Sequence, residues 1–192
     1  LHRSNAIYTN IPNGRRYDGT GVSIAVNDDG FVGPHIDFQG RMEQNTVSND
    51  FTGDHGDMVA GILGGAGNLN PMYEGMAKGV KMHIRQYSGS LPGSVQLHQD
   101  SGVMLFSSSY GNGCNAGYTS LTRQVDQEIR LNPSLIQVFS CGNSGSSNCG
   151  YGAGSGWGNI TGGHKQGKNV IATANLLNNG NIVQSKNFIQ HK

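Results

Sequence analysis

The feature that most constrains this chain is a set of five short apolar runs, most of them nearly continuous, separated by stretches rich in glycine and polar residues. Runs of this length with little alternation are typical of strands that are buried on both faces of a parallel sheet. They lie at 22–28, 80–87, 103–108, 135–141 and 169–174. The sequence therefore predicts five buried strands.

Two segments between these runs have helical spacing. Leu121, Val125 and Ile129 recur at every fourth residue, and Thr119 or Ser120 can serve as the N-cap. A second helix is predicted from four apolar residues spaced by three and four: Met58, Val59, Ile62 and Leu63. Strands that alternate with helices predict one α/β domain over residues 1–192, with a three-layer, doubly wound and mostly parallel sheet.

The charge pattern excludes several classes of partner. The 13 basic and 12 acidic residues give a formal net charge of +1 and are spread along the chain, without clusters suited to phosphate backbones or anionic lipid. No apolar run approaches the roughly 20 residues of a membrane span, and the start at Leu1 lacks a signal-peptide pattern. We expect no nucleic-acid partner, no membrane span, and a targeting segment that has already been removed.

Three cysteines lie in loop-like sequence or at a strand end: Cys114, Cys141 and Cys149. They lack the C-x-x-C spacing of zinc sites and thioredoxin-like motifs. One disulfide and one free thiol fit this pattern, and Cys114–Cys149 is the preferred bridge. A disulfide requires an oxidising compartment, so the expected location is secreted, periplasmic or at the cell surface.

In open parallel sheets, ligands bind outside the carboxyl ends of the strands. The first strand ends in Asp28 and Asp29, directly before Gly30, and other strand ends carry the run 107–111 and Asn143. A carboxylate at the first strand end can orient an imidazole, although an Asp before a Gly also makes an ordinary turn. These residues are the first candidates for function.

Two of the candidates are ambiguous on their own. His55 precedes Gly56 and the small residues of a predicted helix, and it follows Asp28 by 27 residues, which leaves room for one crossover. A lone histidine is nevertheless usually structural. Asn143 follows a glycine, where its amide can face a developing oxyanion, but Gly-Asn-Ser-Gly is also a common turn.

Together, the motifs resemble those of the subtilisin-like serine peptidases, peptidase family S8. They occur in the order strand-Asp-x-Gly, His-Gly-x-x-Val-Ala-Gly, strand-Ser-x-Gly and strand-Gly-Asn. The resemblance extends from Val22 to about Phe188 and corresponds to the amino-terminal two thirds of a catalytic domain. It implies a subtilisin-like fold that is incomplete at its C-terminal end.

The resemblance implies a serine endopeptidase with an Asp-His-Ser mechanism. Asp28 matches the orienting acid, because the family's glycine falls two residues after its aspartate and Gly30 meets this spacing only from Asp28. His55 matches the general base, and Asn143 matches the oxyanion-hole donor.

Ser109, Tyr110 and Gly111 resemble the substrate-binding segment of the family. The resemblance implies that their backbone pairs with an extended peptide. Two departures limit this comparison. Asp57 places an extra acid near the base, and residues 88–102 are much shorter than the helix-bearing stretch of the family. Preferences at the distal subsites therefore cannot be transferred.

Asp37 resembles a calcium ligand of the family, which acts with the loop after the histidine helix, where Asn68 and Asn70 lie in this chain. Calcium needs about six to eight oxygens, and only Asp37 supplies a clear carboxylate. We treat a structural calcium as an option, and no cofactor is expected to be required.

No Gly-Thr-Ser nucleophile motif occurs before Lys192. We expect the chain to be inactive alone, with the serine in the C-terminal remainder of the same domain, and we expect peptides or proteins as substrates. The alternative is a pseudopeptidase that binds peptides or helps to assemble a surface or secreted complex. A nucleotide-binding domain is disfavoured, because the glycine-rich run 154–158 neither follows a strand nor opens a helix.

Overall fold

The computed structural model describes residues 8, 17–28, 32–43, 55–87, 93–111, 117–143, 147–148, 150 and 162–174 of the chain. These residues belong to two compact units. The first is formed by Leu1–Ser88 and Pro92–Ser108, and the second by Gly89–Leu91 and Ser109–Lys192.

Three parallel strands form the sheet of the first unit: β1 (Ser23–Asp28), β2 (Lys81–Gln86) and β3 (Leu105–Ser108). β1 lies in the middle, with Ser23 opposite Lys81 on one side and Ile24 opposite Leu105 on the other. The carboxyl ends of the three strands therefore meet at one edge of the sheet.

The first unit has its core between this sheet and helix α1 (His55–Gly64). Ile24 and Val26 of β1 point to the same face because side chains alternate along a strand, and both pack in one cluster with Ala60 of α1. The neighbouring strand adds Met82 and Ile84, both 1% exposed or less. Each fully buried side chain of this kind contributes roughly 1.5–3 kcal/mol to stability.

The close contact of α1 with the sheet depends on glycine. A Cβ atom on Gly64 would lie 2.8 Å from the Sδ atom of Met82, and one on Gly75 would lie 2.6 Å from the backbone nitrogen of Gly65. These distances are shorter than van der Waals contacts, so neither position has room for a side chain. The glycines let α1 lie flat on the sheet, which sets the position of its first residue, His55.

A further helix, α2 (Ser94–Ser101), lies between β2 and β3, where the sequence predicted none. It begins after Gly93 and ends before Gly102, both in the left-handed conformation. Its buried residues include Leu97, but most of the segment is polar. The lack of an apolar stripe is the reason that the periodicity did not reveal it.

The second unit contains the parallel strands β4 (Ile136–Ser140) and β5 (Ile171–Thr173) with helix α3 (Ser120–Leu131). The helix begins with a capping box in which the side chain of Thr119 accepts from the Thr122 backbone while the side chain of Thr122 accepts from the Thr119 backbone. Its apolar stripe packs against Phe139 through Val125 and Ile129.

The buried Asp126 carboxylate of α3 ties the helix to the segment before β5. It accepts from the backbone nitrogen of Asn169 at 2.9 Å and from the hydroxyl of Tyr118 at 2.8 Å. Asn169 also donates its side-chain amide to the Asp126 carbonyl at 3.1 Å. This carboxylate therefore joins α3 and the Tyr118 hydroxyl just before it to a segment that lies 43 residues later in the chain.

The observed elements confirm the predicted α/β class, the parallel pairing and the five strand positions, with ends that differ by a few residues. Both predicted helices are also present. Among the described residues, none of the helices combines the length and apolar character that crossing a bilayer requires.

Candidate active site

The Asp28 carboxylate and the His55 imidazole form the central contact of the candidate site. Oδ1 of Asp28 lies 2.7 Å from Nδ1 of His55. Because an ionised carboxylate can only accept, Nδ1–H of His55 is the donor. This hydrogen bond selects the tautomer in which Nε2 carries the free lone pair, which is the state required of a general base.

The two side chains have contrasting environments. The Asp28 side chain is 5% exposed, whereas the His55 side chain is 45% exposed. A buried carboxylate forms few hydrogen bonds with water, so the protein fixes the orientation of Asp28 toward Nδ1 of His55. The imidazole is therefore the more accessible of the two groups.

Backbone contacts fix the position of Asp28. It is the last residue of β1 and is paired with Gln86 of β2. Its carbonyl oxygen accepts from the backbone nitrogen of Tyr87 at 2.8 Å. Because Asp28 follows Ile24 and Val26 at even spacing, its side chain lies on the face covered by α1, where His55 begins the helix.

The predicted substrate-binding segment begins directly after β3. Ser109 is half-buried and Gly111 is exposed, but the Tyr110 side chain is buried. Its ring packs edge-on against Phe139 at 6.2 Å, and its hydroxyl lies 3.5 Å from Nδ1 of His164. Any contact of Tyr110 with a substrate would therefore involve its backbone, and the role of this segment stays a prediction.

His164 is a buried residue that sequence reasoning missed. Its ring stacks on Phe139 at 5.8 Å, and burial lowers its pKa, which keeps it neutral within the core of the second unit. It follows two glycines in a segment without periodicity, and no sequence signal distinguished it from a surface histidine.

Asn143 is exposed and follows Gly142, whose φ angle of 103° is in the range that favours glycine. The preceding residue, Cys141, still pairs with β5 through a bond of 2.9 Å from its backbone nitrogen to the Thr173 carbonyl. Asn143 therefore lies just past the carboxyl end of β4, as the sequence indicated. Its role as an oxyanion donor stays a prediction.

Cys141 is the one cysteine within the described residues, and its thiol is free and half-buried. Burial raises its pKa, against the opposing effect of the Lys165 charge. Cys114 and Cys149 lie outside the described residues. The disulfide between them and the extracytoplasmic location inferred from it therefore stay predictions.

Asp37 lies in a 3₁₀ helix, Ile36–Phe38, and does contact the loop after α1. Its Oδ1 accepts from the backbone nitrogen of Asn68 at 2.7 Å, while the Asn68 amide donates to the Ile36 carbonyl. Asn70 instead caps its own turn, because its Oδ1 accepts from the backbone nitrogen of Met72.

Around Asp37, the described residues do not by themselves supply the six to eight oxygens that a calcium ion binds. Asp37 is a single carboxylate, and the carbonyl of the same residue accepts from the Arg41 guanidinium, which brings a positive charge to the site. No group of three or more His, Cys, Asp or Glu side chains suited to a metal occurs in the described part of the chain. The protein's own hydrogen bonds hold this loop.

A comparison with protein families matches residues 19–191 to the subtilase family. The match covers most of the chain, and the chain therefore belongs to this family. Its predicted membership is confirmed, and the peptidases of this family use serine nucleophiles.

Two solved structures are similar in fold. The prenylagaramide maturation protease PagA shares 20% identity, with a TM-score of 0.54 over 76% of this chain and 52% of PagA. MycP1 with its N-terminal propeptide removed shares 24% identity, with a TM-score of 0.46 over 67% of this chain and 45% of MycP1. The chain thus spans about half the length of these two proteins.

Proposed function

We propose that this chain is part of a serine endopeptidase, in which Asp28 orients His55 and His55 acts as the general base. The observation that carries the proposal is the 2.7 Å contact between Oδ1 of Asp28 and Nδ1 of His55. The family membership supports the same reaction. The nucleophilic serine would come from polypeptide outside these 192 residues, in keeping with the greater length of PagA.

The reaction follows from the tautomer that Asp28 selects. With its proton held on Nδ1, His55 takes the serine proton at Nε2 as the serine oxygen attacks the peptide carbonyl. The Asp28 carboxylate then stabilises the imidazolium that forms. His55 returns a proton to the leaving amine, and in the second half-reaction it activates the water that cleaves the acyl-enzyme.

The exposure of the two groups suits this reaction. A general base must reach a proton on the substrate side, and 45% of the His55 side chain is exposed. Burial of Asp28 keeps water from competing for the Nδ1 proton. Positioned acid–base catalysis of this kind contributes about a hundredfold to ten-thousandfold in rate.

Two further roles are part of the proposal. The Asn143 amide would donate to the oxyanion of the tetrahedral intermediate, an interaction worth roughly 3–4 kcal/mol in the subtilisin example on which this magnitude is based. The backbone of Ser109–Gly111 would pair with the extended substrate. Exposure of Asn143 and Gly111 in the second unit is compatible with both roles.

The test is labelling of the full-length polypeptide with a fluorophosphonate probe, followed by peptide mass spectrometry to locate the label. Only an activated serine reacts, so the proposal predicts a labelled serine outside residues 1–192 and loss of label in His55→Ala. A folded full-length protein that takes no label would contradict the peptidase and favour a pseudopeptidase that binds peptides.

A further inference from the structure

A row of polar side chains crosses the sheet on the face opposite Asp28. Asn27 of β1 is in register with Arg85 of β2 on one side and with Ser108 of β3 on the other. Since neighbouring strands are about 4.8 Å apart, these three residues are adjacent. Asn27 and Ser108 are 1% and 2% exposed, whereas Arg85 is half-buried and can still be reached from solvent.

No described residue balances the positive charge of Arg85. Within the described residues it makes neither a hydrogen bond nor an ion pair, and burial lowers its pKa with no opposing carboxylate. His83, two residues earlier on the same face, is buried, and burial lowers its pKa; the Glu43 carboxylate opposes this shift, while the Arg85 and Lys81 charges add to it. An unbalanced, half-buried cation costs free energy, and such costs are typical of binding sites.

Asn27 can supply a second donor beside the guanidinium. Its Nδ2 donates to Oγ of Ser108 at 3.2 Å, while its buried Oδ1 has no partner among the described residues. A hydroxyl can donate as well as accept. If the Asn27 amide turns over, Ser108 donates to Oδ1, and Nδ2 takes the buried position of the unpartnered oxygen, which a ligand reaches only if binding exposes this side chain.

The start of α2 adds to the positive potential. A Cβ atom on Gly93 would lie 3.6 Å from Nη2 of Arg85, so the guanidinium lies next to the residue that precedes the helix. Gly93 provides no side-chain cap. The partial positive charge of a helix start favours an anion at this place.

The row also lies close to the candidate active site along the chain. Asn27 directly precedes Asp28, and Ser108 directly precedes the predicted substrate-binding segment that begins at Ser109. A peptide bound along the carboxyl edge of β1 and β3 would bring one of its side chains to Arg85. A carboxylate is the side chain that accepts both from a guanidinium and from an amide nitrogen.

We propose that Arg85, with Asn27 beside it, binds an acidic side chain of the peptide substrate and so determines the specificity of the enzyme. This inference rests on the proposed peptidase function for its cleavage readout. Its ligand is an aspartate or glutamate side chain in an extended peptide.

The cleavage test uses the full-length polypeptide and internally quenched peptides in matched sets that carry Glu, Gln or Lys at successive positions. We expect kcat/KM to favour Glu at one position by about tenfold to a hundredfold, as for one charge-assisted hydrogen-bonded pair. The preference should disappear in Arg85→Gln, persist in part in Arg85→Lys and turn toward Lys-containing peptides in Arg85→Glu. Arg123→Gln, which removes an exposed arginine of α3, is the matched control and should keep the Glu preference.

A binding test separates this inference from the peptidase proposal. Fluorescence anisotropy of the same labelled peptides with full-length His55→Ala protein measures Kd without any cleavage. If no peptide is cleaved, the peptidase proposal fails, while a Glu preference in Kd that Arg85→Gln removes would still support the acidic subsite. Equal Kd values for Glu and Gln at every position, a preference unchanged in Arg85→Gln, or no binding of any peptide would overturn it.

A stability measurement distinguishes binding from a structural role. Because the Arg85 charge is unbalanced, Arg85→Met should leave the Tm of the full-length protein unchanged or raise it. A lower Tm for Arg85→Met than for the Arg123→Met control would show that the fold needs the guanidinium, which would contradict a site kept for substrate.

Discussion

Asp28 and His55 meet at 2.7 Å although the first ends a strand and the second begins a helix. Their contact therefore depends on how closely α1 lies on the sheet. That distance is controlled by glycines on the inner side of the helix and in the loop that follows it. The chemistry of the site is thus coupled to residues that carry no reactive group.

Gly64→Ala and Gly61→Ala form a matched pair on α1. An added Cβ at Gly64 meets Sδ of Met82 and forces this fully buried side chain to shift, whereas one at Gly61 meets no atom within 4 Å. We expect Gly64→Ala to lower the free energy of unfolding by about 1–3 kcal/mol. Gly61→Ala should raise it by up to about 1 kcal/mol, since alanine favours the helix. Urea denaturation measures both, and equal effects would contradict the close packing.

Asp126 predicts a dependence of stability on acid. Burial alone would raise its pKa, but hydrogen bonds from the backbone of Asn169 and Lys168 and from Tyr118 outweigh burial, and the net shift is downward. A carboxyl with a lowered folded-state pKa stabilises the protein above its unfolded pKa of about 4. This stability is lost as the pH falls through the lower, folded-state pKa.

We therefore expect Asp126→Asn to lower the free energy of unfolding by about 1–3 kcal/mol at neutral pH and to reduce the acid dependence near pH 4. Tyr118→Phe removes only one of the donors and should have a smaller effect in the same direction. Denaturant titrations between pH 3 and pH 7 measure the free energy of unfolding of each variant. If this free energy changed with pH in Asp126→Asn as steeply as in the original protein, the proposed role of Asp126 would be contradicted.

Asp37 predicts the response to metal removal. Since its carboxylate accepts from the backbone of Asn68 and the surrounding donors do not form a calcium cage, chelation with EDTA should leave the Tm unchanged. Asp37→Ala should lower the free energy of unfolding by about 1 kcal/mol, with or without calcium, because the Asn68 nitrogen loses its partner. A metal site would instead be indicated if EDTA lowered the Tm and calcium restored it. In that case the Tm of Asp37→Ala should not change with either treatment.

The sequence predicted the elements that have a strong apolar signal. The β1 run is nearly continuous, apolar residues alternate with polar ones along β2, and the Leu121, Val125 and Ile129 stripe identified α3. α2 was missed because its burial relies on little more than Leu97 and on glycines at both ends. The local sequence pattern therefore predicts helices and strands that bury many apolar side chains. It does not predict a short polar helix that is stabilised by its neighbours.

The candidate site shows the same limit. Asp28 and His55 were found from motifs at strand and helix ends, and their contact confirms that the two side chains come together. Arg85 and Asn27 went unnoticed, since neither belongs to a recognised motif. Their adjacency depends on the register between strands, which sequence pattern does not provide.

The measurement that tests the account most directly is kcat/KM for peptide hydrolysis by the full-length polypeptide and its Asp28→Asn variant. An asparagine can present its amide to Nδ1 and so favour the wrong tautomer of His55, and we expect a loss of about ten-thousandfold. Asp100→Asn, which changes an exposed carboxylate on α2, is the control and should retain full activity. An active protein in which Asp28→Asn and Asp100→Asn behave alike would show that the Asp28–His55 pair is not the catalytic base system.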